Sequence, residues 1–69
     1  MNPNQIRDHL EAVIAPTRVS DLWSTAMGIT ASVPEVLGDE KQSLIAHATG
    51  AHKVDLIRYP DRTLIFLEL

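Results

Sequence analysis

Hydrophobic and polar positions along the 69-residue chain fall into four blocks. In the first, "NPNQIRDHLEAVIAP", Ile6, Leu10, Val13 and Ile14 recur at i, i+4, i+7 and i+8, which predicts a helix with one apolar stripe. Arg7, Asp8 and Glu11 lie mainly off that stripe. Asn2 supplies a cap, and Pro3 occupies the first helical position, where its missing N–H costs nothing. Pro16 ends the helix.

The second block, "TRVSDLWSTAMG", places Val19, Leu22, Trp23, Ala26 and Met27 at i, i+3, i+4, i+7 and i+8. That spacing predicts a second helix, capped by Thr17 and closed by Gly28, with Trp23 on its core stripe. The third block, "SVPEVLGDEKQSLIAHATG", carries two capping-box spacings, Ser32 with Glu35 and Asp39 with Gln42. It predicts helix from Val33 to about Thr49, either continuous along Val33, Leu37, Leu44 and Ala48 or broken at Gly38. The duplicated caps favour the break.

The last block, "KVDLIRYPDRTLIFLEL", reads as a C-terminal hairpin. Pro60 fits the second position of a type I turn and cannot supply the positive φ of the favoured two-residue turns, so a four-residue loop is expected. An even-numbered loop gathers Val54, Leu56, Ile65, Leu67 and Leu69 on one face and Ile57, Tyr59, Leu64 and Phe66 on the other. The second arm is apolar at nearly every position, whereas a half-exposed strand alternates. A two-stranded ribbon is barely stable alone and must pack on something. With no third strand in sight, one apolar face and one bare edge are left over. The expected fold class is therefore α+β: three to four short helices followed by a C-terminal antiparallel β-hairpin, in one domain spanning residues 1–69.

The stretch "DLWSTAMGITASVPEVL" resembles the helix-turn-helix cadence, with Gly28 at the turn and Ser32 opening the second helix. Followed by a hairpin, the order resembles a winged helix, which implies DNA binding, with Pro60 to Arg62 as the wing tip and Arg58 and Arg62 on the phosphate backbone. Two departures weigh against the resemblance. Pro34 falls near the position of a buried branched residue, and Glu35, Asp39 and Glu40 would repel phosphate.

Composition changes this picture at three points. A chain of this length buries only about 60% of its unfolded surface, and small chains often lean on disulfides, metals or partner subunits. There are no cysteines, which excludes disulfides and thiolate metal sites and fits a cytoplasmic setting. Six Lys and Arg against nine Asp and Glu, a net charge of −3, argue against nucleic acid and against an anionic membrane surface. The polar start "MNPNQIRDHL" is not a secretory leader, and the run "LIFL" is far short of a membrane span.

Candidate chemistry is sparse. His47 and His52, five apart, do not share a helical face, and His9 stands elsewhere, so no familiar metal set or cofactor site forms. Ser43 and His47 are one helical turn apart but lack an orienting third group and an oxyanion hole. The expectation is a non-enzymatic protein-interaction module, an adaptor, inhibitor or regulatory subunit that acts through the hairpin as a homodimer. Its contact residues are Ile57, Tyr59, Leu64 and Phe66, with Arg58 and Arg62 setting orientation.

Overall fold

The computed structural model describes residues 2–69. Helix α1 (Pro3–Ile14) begins as its sequence dictates. The Asn2 side chain accepts from the Gln5 N–H, and the Gln5 side chain accepts from the Asn2 N–H, both at 2.9 Å, which completes a capping box. Ile6, Leu10 and Ile14 form its buried face, and the helix stops two residues before Pro16.

The next segment departs from the helical reading. Strands β1 (Asp21–Thr25) and β2 (Gly28–Val33) form a hairpin across the two-residue turn Ala26–Met27. In β2, Ile29, Ala31 and Val33 face the core, while Thr30, itself buried, and half-buried Ser32 face the other way. This period of two overrides the i, i+3, i+4 spacing in the same window. The β-branched residues Ile29, Thr30 and Val33 suit a pleated surface, and Gly28 opens the strand. At Gly28 φ is +155°, and a Cβ there would collide with the Leu67 carbonyl oxygen. Glycine is required because the strand passes against another backbone, not because it ends a helix.

Val33 closes β2, and helix α2 (Glu40–Thr49) starts after Gly38, so no helix spans 33 to 39. The Asp39 side chain makes no cap hydrogen bond; it pairs with Arg58 instead. Apolar residues surround α2 at Leu44, Ile45, Ala46 and Ala48, so spacing alone does not single out a core stripe. Packing selects Ile45 and Thr49, while Leu44 is exposed. Gly50 ends the helix in the left-handed region at φ 72°, with its N–H on the Ala46 carbonyl.

Strands β3 (Lys53–Tyr59) and β4 (Arg62–Glu68) form the expected hairpin with the expected grouping of faces, Val54 opposite Leu67 and Ile57 opposite Leu64, but without the expected four-residue loop. Its loop is Pro60–Asp61 alone, since Tyr59 already pairs with Arg62, and neither loop residue has positive φ. The expectation of three to four helices before a lone hairpin is overturned: the chain has two helices and one four-stranded antiparallel sheet, ordered β1-β2-β4-β3. The α+β class stands. With β1 and β2 as strands, the helix-turn-helix and winged-helix resemblance loses both of its helices.

The sheet order gives the last strand a neighbour on each side. β4 is interior, bonded to β2 on one side and β3 on the other. It is therefore no bare edge, and buried Thr63, Ile65 and Leu67 alternate with Leu64 and Phe66. The β2 and β3 strands run parallel with β4 inserted between them, so β2-α2-β3 is a split crossover. Both helices cover the same face, α1 against β1 and α2 against β3. The core lies between them: Ile6, Leu10 and Ile45 from the helices meet Ala31, Val33 and Ile65 from the sheet, all 0% exposed.

Candidate functional site

The opposite face of the sheet carries no covering element among the described residues. Side chains in successive register rows identify what it presents. Across β1-β2-β4-β3, one row is Asp21, Ser32, Leu64, Ile57, and the next is Trp23, Thr30, Phe66, Asp55. A third is Thr25, Gly28, Glu68, Lys53, and a half-row at the opposite end holds Arg62 and Tyr59. Trp23, Ile57, Tyr59 and Phe66 are 42%, 45%, 40% and 36% exposed, and Leu64 is half-buried among them. Met27, at the tip of the β1–β2 turn, is 67% exposed. A contiguous patch of large apolar side chains in water is uncommon on a small monomer, where such residues are normally scattered.

Five of the six residues singled out from the sequence converge on this face: Ile57, Tyr59, Arg62, Leu64 and Phe66. The Arg62 guanidinium carbon lies 4.7 Å from the Tyr59 ring centroid, a cation–π contact that holds both side chains at one corner of the patch. Arg58 belongs elsewhere. It points to the helix side, where its Nε donates to the Leu37 carbonyl and its Nη2 pairs with Asp39. Arg58 therefore anchors the β2–α2 loop and does not join the patch.

Trp23, Met27, Lys53, Asp55 and Glu68 complete the face and were missed from the sequence. The helical spacing puts Trp23 on a core stripe; reading Asp21–Thr25 with period two sets it on the face opposite the core side chain Leu22. Glu68 follows from β4 itself, where Arg62, Leu64, Phe66 and Glu68 alternate outward.

The edges of the sheet are partly closed. The Leu22 N–H on edge strand β1 is taken by the Asp21 carboxylate at 2.9 Å. On edge strand β3, the Gln42 side-chain amide donates to the Val54 carbonyl. Side-chain caps of this kind block strand addition at those positions, so the face offers the larger contact.

Chemistry is thinly provided. The best-formed depression lies at the Met27 end of the face, with Thr30, Lys53, Asp55, Phe66 and Glu68 in its walls. Its volume is about 220 Å³, and it is open to solvent. Small-molecule sites usually enclose roughly 300–1,000 Å³. Among the described residues, no three His, Cys, Asp or Glu side chains gather as metal ligands. No helix among them is long and apolar enough to cross a membrane. Comparison of the chain with family models, curated proteins and solved structures gave no match.

Proposed function

We propose that this chain is a small non-enzymatic protein-interaction module that docks through the uncovered face of its sheet and does so as a homodimer. An adaptor, inhibitor or regulatory subunit uses such a surface. The observation that carries the reading is the asymmetry of the sheet. One face is sealed by two helices, while the other leaves Trp23, Ile57, Tyr59, Leu64 and Phe66 in one continuous patch. Trp23, Ile57, Tyr59 and Phe66 are already more than half buried, so covering what remains of each gains less than half of the about 1.5–3 kcal/mol of full burial, and association draws on the patch as a whole. Trp, Tyr and Arg, all present here, are the residues enriched at binding hot spots. A cytoplasmic setting belongs to the same reading, supported by a sequence with no cysteine to crosslink.

Phe66→Glu tests the reading. The substitution puts a charge at the centre of the patch and leaves the core untouched. Association measured by light scattering should be lost while the circular dichroism spectrum stays native. Unchanged association in a folded variant overturns the proposal.

A further inference from the structure

Along β4 the face is self-complementary in charge. On β4 the outward side chains read Arg62, Leu64, Phe66, Glu68: positive, apolar, apolar, negative. Arg62 and Glu68 each lie three residues from Ile65. On β3, Lys53 and Tyr59 each lie three residues from Leu56, and Leu56 is the cross-strand partner of Ile65. Ala31 and then Leu22 continue the same row through β2 and β1. One line across all four strands thus bisects the pattern.

We infer that the occupant of the face is a second copy of this chain, related by a twofold axis along that line. This rests on the sheet face being the docking surface. Rotation about the axis sets each strand antiparallel against its own copy. Arg62 then meets Glu68 of the second copy, and Glu68 meets the other Arg62, so one interaction occurs twice. Leu64 meets Phe66, Lys53 meets the Tyr59 ring, and the Trp23 indole N–H meets the Asp21 carboxylate. Asp55 falls opposite Ile57, the one poor match; β3 is an edge strand, so Asp55 stays at the wet rim beside Lys53, 3.9 Å away. Face-to-face sheets pack about 10 Å apart and about 30° from aligned. β4 lies nearer the middle of the sheet than edge strand β3, so that rotation displaces the Arg62–Glu68 pairs less than the Lys53–Tyr59 pairs. Within one chain, Arg62 and Glu68 are about 20 Å apart along the strand, too far to pair with each other.

Four strands at about 4.8 Å spacing and seven residues at about 3.3 Å give a face on the order of 400 Å² per copy. That is about 800 Å² in total, below the roughly 1,000–1,200 Å² of a stable specific interface, so the dimer is a weak one that dissociates on dilution.

Charge exchange tests the arrangement, read by sedimentation equilibrium at 0.15 M salt. Arg62→Glu alone, or Glu68→Arg alone, sets like charges opposite each other at both symmetric positions and should weaken the dimer at least tenfold. An equimolar mixture of the two single variants is complementary at both positions, so it should recover a heterodimer, as should the R62E/E68R double variant as a homodimer. Recovery in the mixture can arise only across the interface. If the single variants associate as the wild type does, or the mixture gains nothing over either alone, the twofold arrangement is overturned. If Phe66→Glu still abolishes association in that case, the docking face stands with a different arrangement. A wild-type chain that stays monomeric throughout overturns the second copy as occupant, and the homodimer reading with it.

Discussion

Tyr59 and Arg62 are cross-strand partners at the β3–β4 turn, and the Arg62 guanidinium lies over the Tyr59 ring at 4.7 Å. The contact aligns a cation and an aromatic at one corner of an apolar face, with Phe66 and Leu64 further along the same surface. Arg62→Ala should therefore weaken association at least as much as it changes stability. As an exposed cation–π pair it contributes only about 0.5–1 kcal/mol to the fold. Urea denaturation set beside a dilution series by light scattering separates the two effects.

Arg58 should behave in the opposite way. It ties the β2–α2 loop through the Leu37 carbonyl and Asp39. Arg58→Ala should leave the dimer constant unchanged and cost about 1 kcal/mol of stability, a typical net value for a hydrogen bond. Hydrogen exchange should show faster amide exchange in residues 35–39. A weakened dimer with unchanged loop protection would return Arg58 to the interface.

Thr63 is the second tie of that loop and is fully buried. Its hydroxyl accepts from the Leu37 N–H at 2.9 Å and donates to the Glu35 carbonyl at 2.7 Å. Thr63→Val keeps the shape but strands both backbone groups, a loss of about 1–3 kcal/mol. Thr63→Ser keeps the hydroxyl and should lose less. Chemical denaturation of the pair checks the order; a larger loss for Thr63→Ser than for Thr63→Val would mean that the methyl group, not the hydroxyl, carries the effect.

Gly28→Ala should be among the most damaging single-atom changes. The new Cβ meets the Leu67 carbonyl oxygen, and the backbone sits at positive φ. Strain of this kind costs on the order of 1–3 kcal/mol before the clash is counted. The midpoint of thermal unfolding should fall by several degrees, and an unchanged midpoint would show that β2 can move away from β4 freely.

How much of this was legible depended on whether a segment contained its own answer. The first helix did: Asn2, Pro3 and the Ile6–Ile14 stripe are local signals, and they agree. The last hairpin also did, because an even loop fixes which side chains share a face. That is why spacing alone groups Ile57, Tyr59, Leu64 and Phe66. Residues 17–33 did not. Val19, Leu22, Trp23, Ala26 and Met27 fit a helix as well as the strands fit a period of two. The deciding partner, β4, lies more than thirty residues away in the register Ala31 to Ile65. A non-local pairing leaves no mark in the local spacing, so the sheet, and with it Trp23 on the open face, stayed hidden. The apolar last strand marks both of its faces, Ile65 and Leu67 in the core and Leu64 and Phe66 on the open side, but it does not show that β2 lies beside it.

The most direct test of the account is the solution mass of the wild-type chain by size-exclusion chromatography with light scattering, across a concentration series and beside Phe66→Glu. The account predicts a mass that rises from one chain toward two with concentration for the wild type, and a single-chain mass throughout for the folded variant. A wild-type mass fixed at one chain, or a variant that follows the wild-type curve, would contradict it.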